Sequence, residues 1–154
     1  MPDDEGVQDE LDQERATGEG MPENPATATL GVLLIIPSER TQDASTPGMT
    51  RETAISTDGM WSGVARTPAG SASGWHHHGA YESSIHVLSG TLRLEFGPDG
   101  TDEIEAGPGD FVYIGAGVVH REINPGTVES ELVVSRSGVG DPVVNVDGPG
   151  LRGT

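Results

Sequence analysis

The chain has 154 residues, one-third of them apolar, with 23 glycines, 11 prolines, no cysteine and a formal charge of −17, enough for one modest core with tails. The lack of cysteine excludes disulfides, a thiolate nucleophile and a thiolate zinc site. The charge excludes nucleic-acid and anionic-membrane partners, which it would repel.

The longest apolar run, residues 32–36, is too short to span a bilayer. The acidic start lacks the basic and apolar regions of a secretory signal, so the expected location is the cytoplasm. All eight basic side chains are arginine. Dense carboxylates without lysine suit a high-salt cytoplasm, where salt screens self-repulsion, and point to a halophile.

In chain order, residues 1–27 hold nine acidic side chains, one arginine and almost no large apolar group. Such a segment cannot offset its ordering entropy and is expected to be an acidic disordered tail. A single domain is expected over 28–136. Residues 137–154, rich in Gly, Pro and Val, are expected to form a loosely held C-terminal tail that could lend a strand to a partner subunit.

Within the domain, strand-like pieces are expected at 30–36, 63–67, 85–88, 91–96, 103–106, 110–114, 120–124 and 131–136. Leu92, Leu94 and Phe96 alternate with Thr91, Arg93 and Glu95, the period of a strand with one buried face. Ser89-Gly90 is read as a hairpin turn, and Gly97-Pro98-Asp99-Gly100 and residues 106–109 as further turns. No segment shows a capped helical period. The expected fold class is therefore all-β, a closed barrel or a sandwich of short strands.

Four of the five histidines lie between Gly74 and Gly90. On a strand, His76 and His78 share a face, where two imidazoles can converge on one metal ion, while His77 points away as a surface residue or a support to the ligands. A third ligand must come from elsewhere, and His120 follows the glycine-rich turn Gly115-Ala116-Gly117. His86 falls out of step with Ile85 and Val87 and reads as packed or at an interface. Asn124 reads as a turn-fixing residue. Trp75 reads as a packing residue, with pocket lining as the other option.

These residues resemble the two motifs of the cupins, a family of small β-barrels. The first motif corresponds to Gly70, His76-His77-His78, Glu82 and Gly90. The second corresponds to Gly109, Gly115-Ala116-Gly117, His120 and Asn124, with Gly115 where the family has proline. The resemblance spans residues 60–136 and implies a small double-stranded β-helix, or jelly-roll, barrel. It also implies a metal site of His76, His78 and His120, with Glu82 as a fourth ligand. Counting back from Gly90, however, puts the carboxylate position on Ser83. Two alternatives stay open: Glu82 ligates through a bulge, or three histidines hold the metal alone.

An imidazole set with open positions suits Fe, Mn, Ni, Cu or Zn. Such an ion can activate water or polarise a carbonyl or enediol. The expected function is a metal-dependent enzyme of oxygenase or isomerase type on a small chelating organic molecule, with no catalytic side chain assigned. The alternative is a metal-dependent binding or sensing module without turnover, and a degenerate barrel without metal ranks third. The resemblance further implies a small-molecule ligand and a homodimer, which the apolar run at 30–36 would help to form if it is not a core strand.

Overall fold

The computed structural model describes residues 31–43, 46–138 and 143–150. The acidic tail expected at 1–27 lies outside the described residues, as do parts of the C-terminal segment. Among the described residues eleven strands follow one another: β1 (Thr41–Gln42), β2 (Thr50–Ser56), β3 (Met60–Thr67), β4 (His76–His77), β5 (Glu82–Ser89), β6 (Leu92–Phe96), β7 (Asp102–Ala106), β8 (Phe111–Ile114), β9 (His120–Ile123), β10 (Ser130–Ser137) and β11 (Val144–Asn145). The described residues contain one 3-10 turn, Pro37–Glu39, and no α-helix.

The strands form two antiparallel sheets, in the orders β1-β2-β3-β10-β5-β8 and β11-β4-β9-β6-β7. The all-β jelly-roll architecture expected from the resemblance is what the chain adopts. Period-two alternation drives it. Along β10, Leu132, Val134 and Arg136 are buried between less buried neighbours. Along β5, Ser83, Ile85 and Val87 are buried between Glu82, Ser84 and Leu88. The inward residues of the six-stranded sheet, among them Ala65, Ile85, Val87, Leu132 and Val134, pack against Leu92 and Leu94 of the other sheet in one core.

Three expectations are corrected. Ser89-Gly90 does not close a hairpin, because β5 pairs with β10 and β8, whereas β6 pairs with β7 and β9. The dipeptide instead carries the chain from one sheet to the other. Gly90 does so with φ +80°, and a Cβ there would press on the Ser130 backbone, so the turn signal is genuine but its product is a crossover. Residues 31–36 form no strand, and Val32 and Leu34 are 83% and 63% exposed, so this part of the run is not a core strand. The C-terminal segment returns to its own barrel: Val144 pairs with His77 and Asn145 with His76.

β2, absent from the expected strands, pairs with β3 across a register shift. Opposite that shift, Gly63 allows a close approach. Any side chain there would overlap the Glu52 carbonyl and the Trp61 ring, so glycine leaves room for the buried indole.

Candidate metal centre

β4 and β9 are neighbours in the five-stranded sheet, with His76 directly opposite His120. His78 follows just beyond the end of β4. All three rings are buried, and one ligand nitrogen from each lies within 4.8 Å of the others. Their ring centroids are 4.4 Å (His76–His120) and 5.1 Å (the two pairs with His78) apart.

The rings are oriented by the backbone. Nδ1 of His76 donates to the Gly74 carbonyl at 2.9 Å, and Nδ1 of His120 donates to the Val118 carbonyl at 2.9 Å. In a neutral ring this fixes the Nε2 lone pair as the acceptor, the form a metal requires. Nε2 of His120 is buried with no hydrogen-bond partner among the described residues. Nε2 of His76 accepts from Arg51 Nη2 at 3.2 Å. Burial, with the neighbouring charges of His120 and Arg51, pushes His76 down to about 2. Burial also lowers His120, against the opposing charge of Glu122. The donor set therefore fits a transition-metal ion: His76 and His120 are held neutral with their tautomers preset, and the buried His78 ring lies beside them.

Glu82 is not part of this group. It is exposed at the start of β5 and accepts a hydrogen bond from the Tyr113 hydroxyl at 2.8 Å. Strand alternation explains this: the inward position is the next residue, Ser83, whose buried Oγ has no partner among the described residues. The carboxylate that does reach the interior is Glu122, two residues after His120 on β9 and so on the same face, with Oε2 3.6 Å from His76 Nε2.

The remaining singled-out residues have defined places. His77 is buried, not at the surface, and its Nδ1 accepts from the Gly79 N–H at 2.9 Å. His86 stacks on Phe111 at 4.4 Å. Asn124 ties the loop after β9: Nδ2 donates to the Thr67 and Val128 carbonyls, and Oδ1 accepts from Gly126. Trp75 lies under the Arg121 guanidinium at 4.9 Å.

Two inward residues went unassigned in the sequence. Arg51 on β2 is 1% exposed and Arg136 on β10 is 2% exposed. Arg51 also donates to Thr46 Oγ1 at 2.9 Å. Arg136 lies over the Trp61 ring at 4.3 Å, the ring that Gly63 admits. Burial, then the charge of Arg51, lowers Arg136 to about 10. Arg136 continues the Leu132, Val134 alternation, which was a readable sign. Nothing in the sequence around Arg51 marks it.

A cavity of about 260 Å³ opens beside His120, lined by Leu94, Phe96, Ile104, Ile114 and Val118 among others. A mostly apolar cleft leading to a few convergent polar groups is the usual form of a small-molecule site.

Residues 63–135 match the cupin domain family. No curated protein matches the sequence. Among solved structures, the chain is similar to the polyketide cyclase RemF from Streptomyces resistomycificus at 20% identity and a TM-score of 0.61, covering 75% of this chain and 85% of that one. It is also similar to KdgF from Halomonas sp. at 18% identity and a TM-score of 0.59, covering 71% and 96%. Oxalate decarboxylase from Bacillus subtilis is similar at 18% identity and a TM-score of 0.58, with 66% of this chain on 28% of that one. At these identities the likeness is one of fold. The family match supports a cupin domain for this barrel, and the similar structures share its fold. No described helix is long and apolar enough to cross a membrane.

Proposed function

We propose that the chain is a metal-dependent enzyme of oxygenase or isomerase type, acting on a small chelating organic molecule, with His76, His78 and His120 as ligands of a divalent transition-metal ion. The observation that carries this reading is the convergence of three buried imidazole nitrogens within 4.8 Å, two of their rings fixed by backbone carbonyls. Glu82 is left out of the ligand set. When bound, the ion would supply Lewis acidity toward a substrate oxygen. Imidazole donors suit Fe, Mn, Ni, Cu or Zn, and the similarly folded oxalate decarboxylase has Mn(II) centres.

The chain's own groups would do the rest. Burial keeps His76 and His120 neutral. Glu122, the buried carboxylate beside His76, is placed to accept a proton from a bound ligand and to return it. The apolar cavity at His120 would hold the body of the substrate. A second reading, a binding module without turnover, draws support from one observation: the Glu122 carboxylate faces two buried guanidiniums, Arg51 and Arg136, which both feel its charge, so it can serve as their counter-ion.

Elemental analysis of native, untagged protein is expected to find about one transition-metal ion per chain, and His120→Ala to lose it. Oxygen uptake and isomerisation of enediol or oxo compounds by the loaded protein separate the two readings. Metal-free native protein that takes up no added ion defeats both. The exposed run including Val32 and Leu34 supports a homodimer, which light scattering reads directly. The acidic composition supports a high-salt cytoplasm, and full stability without salt would count against it.

A further inference from the structure

The barrel interior has a charge imbalance that the metal reading leaves unused. Two guanidiniums, Arg51 and Arg136, are buried there against one buried carboxylate, Glu122. Asp43 also acts on both arginines, but it is only half-buried. The sign runs opposite to the chain as a whole, whose formal charge is −17. A divalent ion on the histidines would deepen the positive excess.

Both arginines also hold unused donors. Nη1 of Arg51, Nε and Nη1 of Arg136 and Oγ of Ser83 are buried with no hydrogen-bond partner among the described residues. Ser83 is directly opposite Arg136 across β5 and β10, and on its other side Ser83 is opposite Ile114, which lines the cavity at His120. Leaving a buried charged donor unpaired is costly, so such groups in an ordered interior call for an anion. Nε and a terminal nitrogen of one guanidinium present the fork that matches a carboxylate. The charges of both arginines are felt at His76 and at His120, so the anion would sit next to the imidazoles.

We propose that Arg51, Arg136 and Ser83 form a carboxylate-binding subsite facing the three histidines. The ligand is then a small carboxylate bearing an adjacent oxo or hydroxyl oxygen: the carboxylate meets the guanidiniums and the neighbouring oxygen turns toward the histidines. The choice of a chelating carboxylate rests on the metal reading above; the anion grip depends on the arginines alone.

Pyruvate and its neutral amide, pyruvamide, test this, because they share a dicarbonyl skeleton and differ in the carboxylate. Each is titrated calorimetrically into the full chain, metal-free and after loading with nickel(II), as wild type and as Arg136→Met. Pyruvate is expected to bind the nickel-loaded wild type about tenfold or more tightly than the variant, with pyruvamide indifferent to the change. Arg136→Met is also expected to raise the melting temperature of ligand-free protein, because it removes an unpaired buried charge; a purely packing role on Trp61 would lower it. Should that variant not fold, Arg136→Lys, which keeps the charge and loses the fork, is expected to shift pyruvate binding in the same direction by less. Nickel uptake with equal pyruvate binding in wild type and variant overturns the subsite and spares the metal reading. No nickel uptake with pyruvate binding that still depends on Arg136 overturns the metal reading and supports the subsite. Absence of pyruvate binding in every form overturns the subsite.

Discussion

The five-stranded sheet brings imidazoles into the barrel, the six-stranded sheet brings guanidiniums, and the two sets are held differently. His76 and His120 each spend one nitrogen on a backbone carbonyl two residues away, so their orientation follows from the local chain. Arg51 and Arg136 lean on side chains from elsewhere, Thr46 and Trp61, and keep donors unpaired. One wall has its geometry set by its own backbone, and the other keeps donors to spare. Such a division suits a fixed ion that meets exchangeable small molecules.

The contrast can be broken in graded steps. The largest effect belongs to the imidazole wall: His120→Ala should weaken metal binding by more than about 100-fold, beyond the range seen for outer partners of ligands, as measured by competition with a chelator. Glu122→Gln comes next. Its carboxylate is 3.6 Å from His76 Nε2 and balances the arginines, so its loss should weaken metal binding by about tenfold and lower the melting temperature. Arg51→Gln should act the other way. Its guanidinium competes for the His76 lone pair, and removing it should tighten metal binding by a few-fold.

Acid sharpens the same comparison. His76 falls from 6.5 to about 2 on folding, and His120 is also lowered. Below pH 6.5 the unfolded chain takes up protons that the folded chain refuses. Metal-free protein should therefore show no histidine contribution to the pH slope above that point. Below it, stability should fall by up to about 1.4 kcal/mol per pH unit for each ring, and thermal melts of His76→Gln should show the smaller slope. The smallest effect is expected at Glu82→Gln. Glu82 is exposed and bonded to Tyr113, so metal affinity should stay within about twofold; a large loss would return this carboxylate to the ligand set.

Much of this could be read from residue order. The two-residue spacing of His76 and His78, with His120 after a glycine turn, located the imidazole wall, because strand alternation and glycine-rich turns are local properties. Asn124 was legible for the same reason. The arginine wall was not. Arg51 lies on a strand without apolar alternation, and its side chain is held by Thr46 and Met49 ahead of the strand and by His76 of the opposite sheet. Ser89-Gly90 shows the same limit: a dipeptide announces a change of direction, but which sheet receives the next strand depends on where Leu92 and Leu94 find their core. The position of Glu82 turned on a single residue of register, the step that sends a strand side chain to the other face.

β11 lies against the strand that carries His76, and Val146 donates from its backbone to the Trp75 carbonyl at 2.9 Å. During synthesis, then, the edge beneath the first imidazole stays unzipped until nearly the whole barrel has emerged. A chain cut before residue 144 would leave that edge of β4 unpaired and open to a strand from a neighbouring chain.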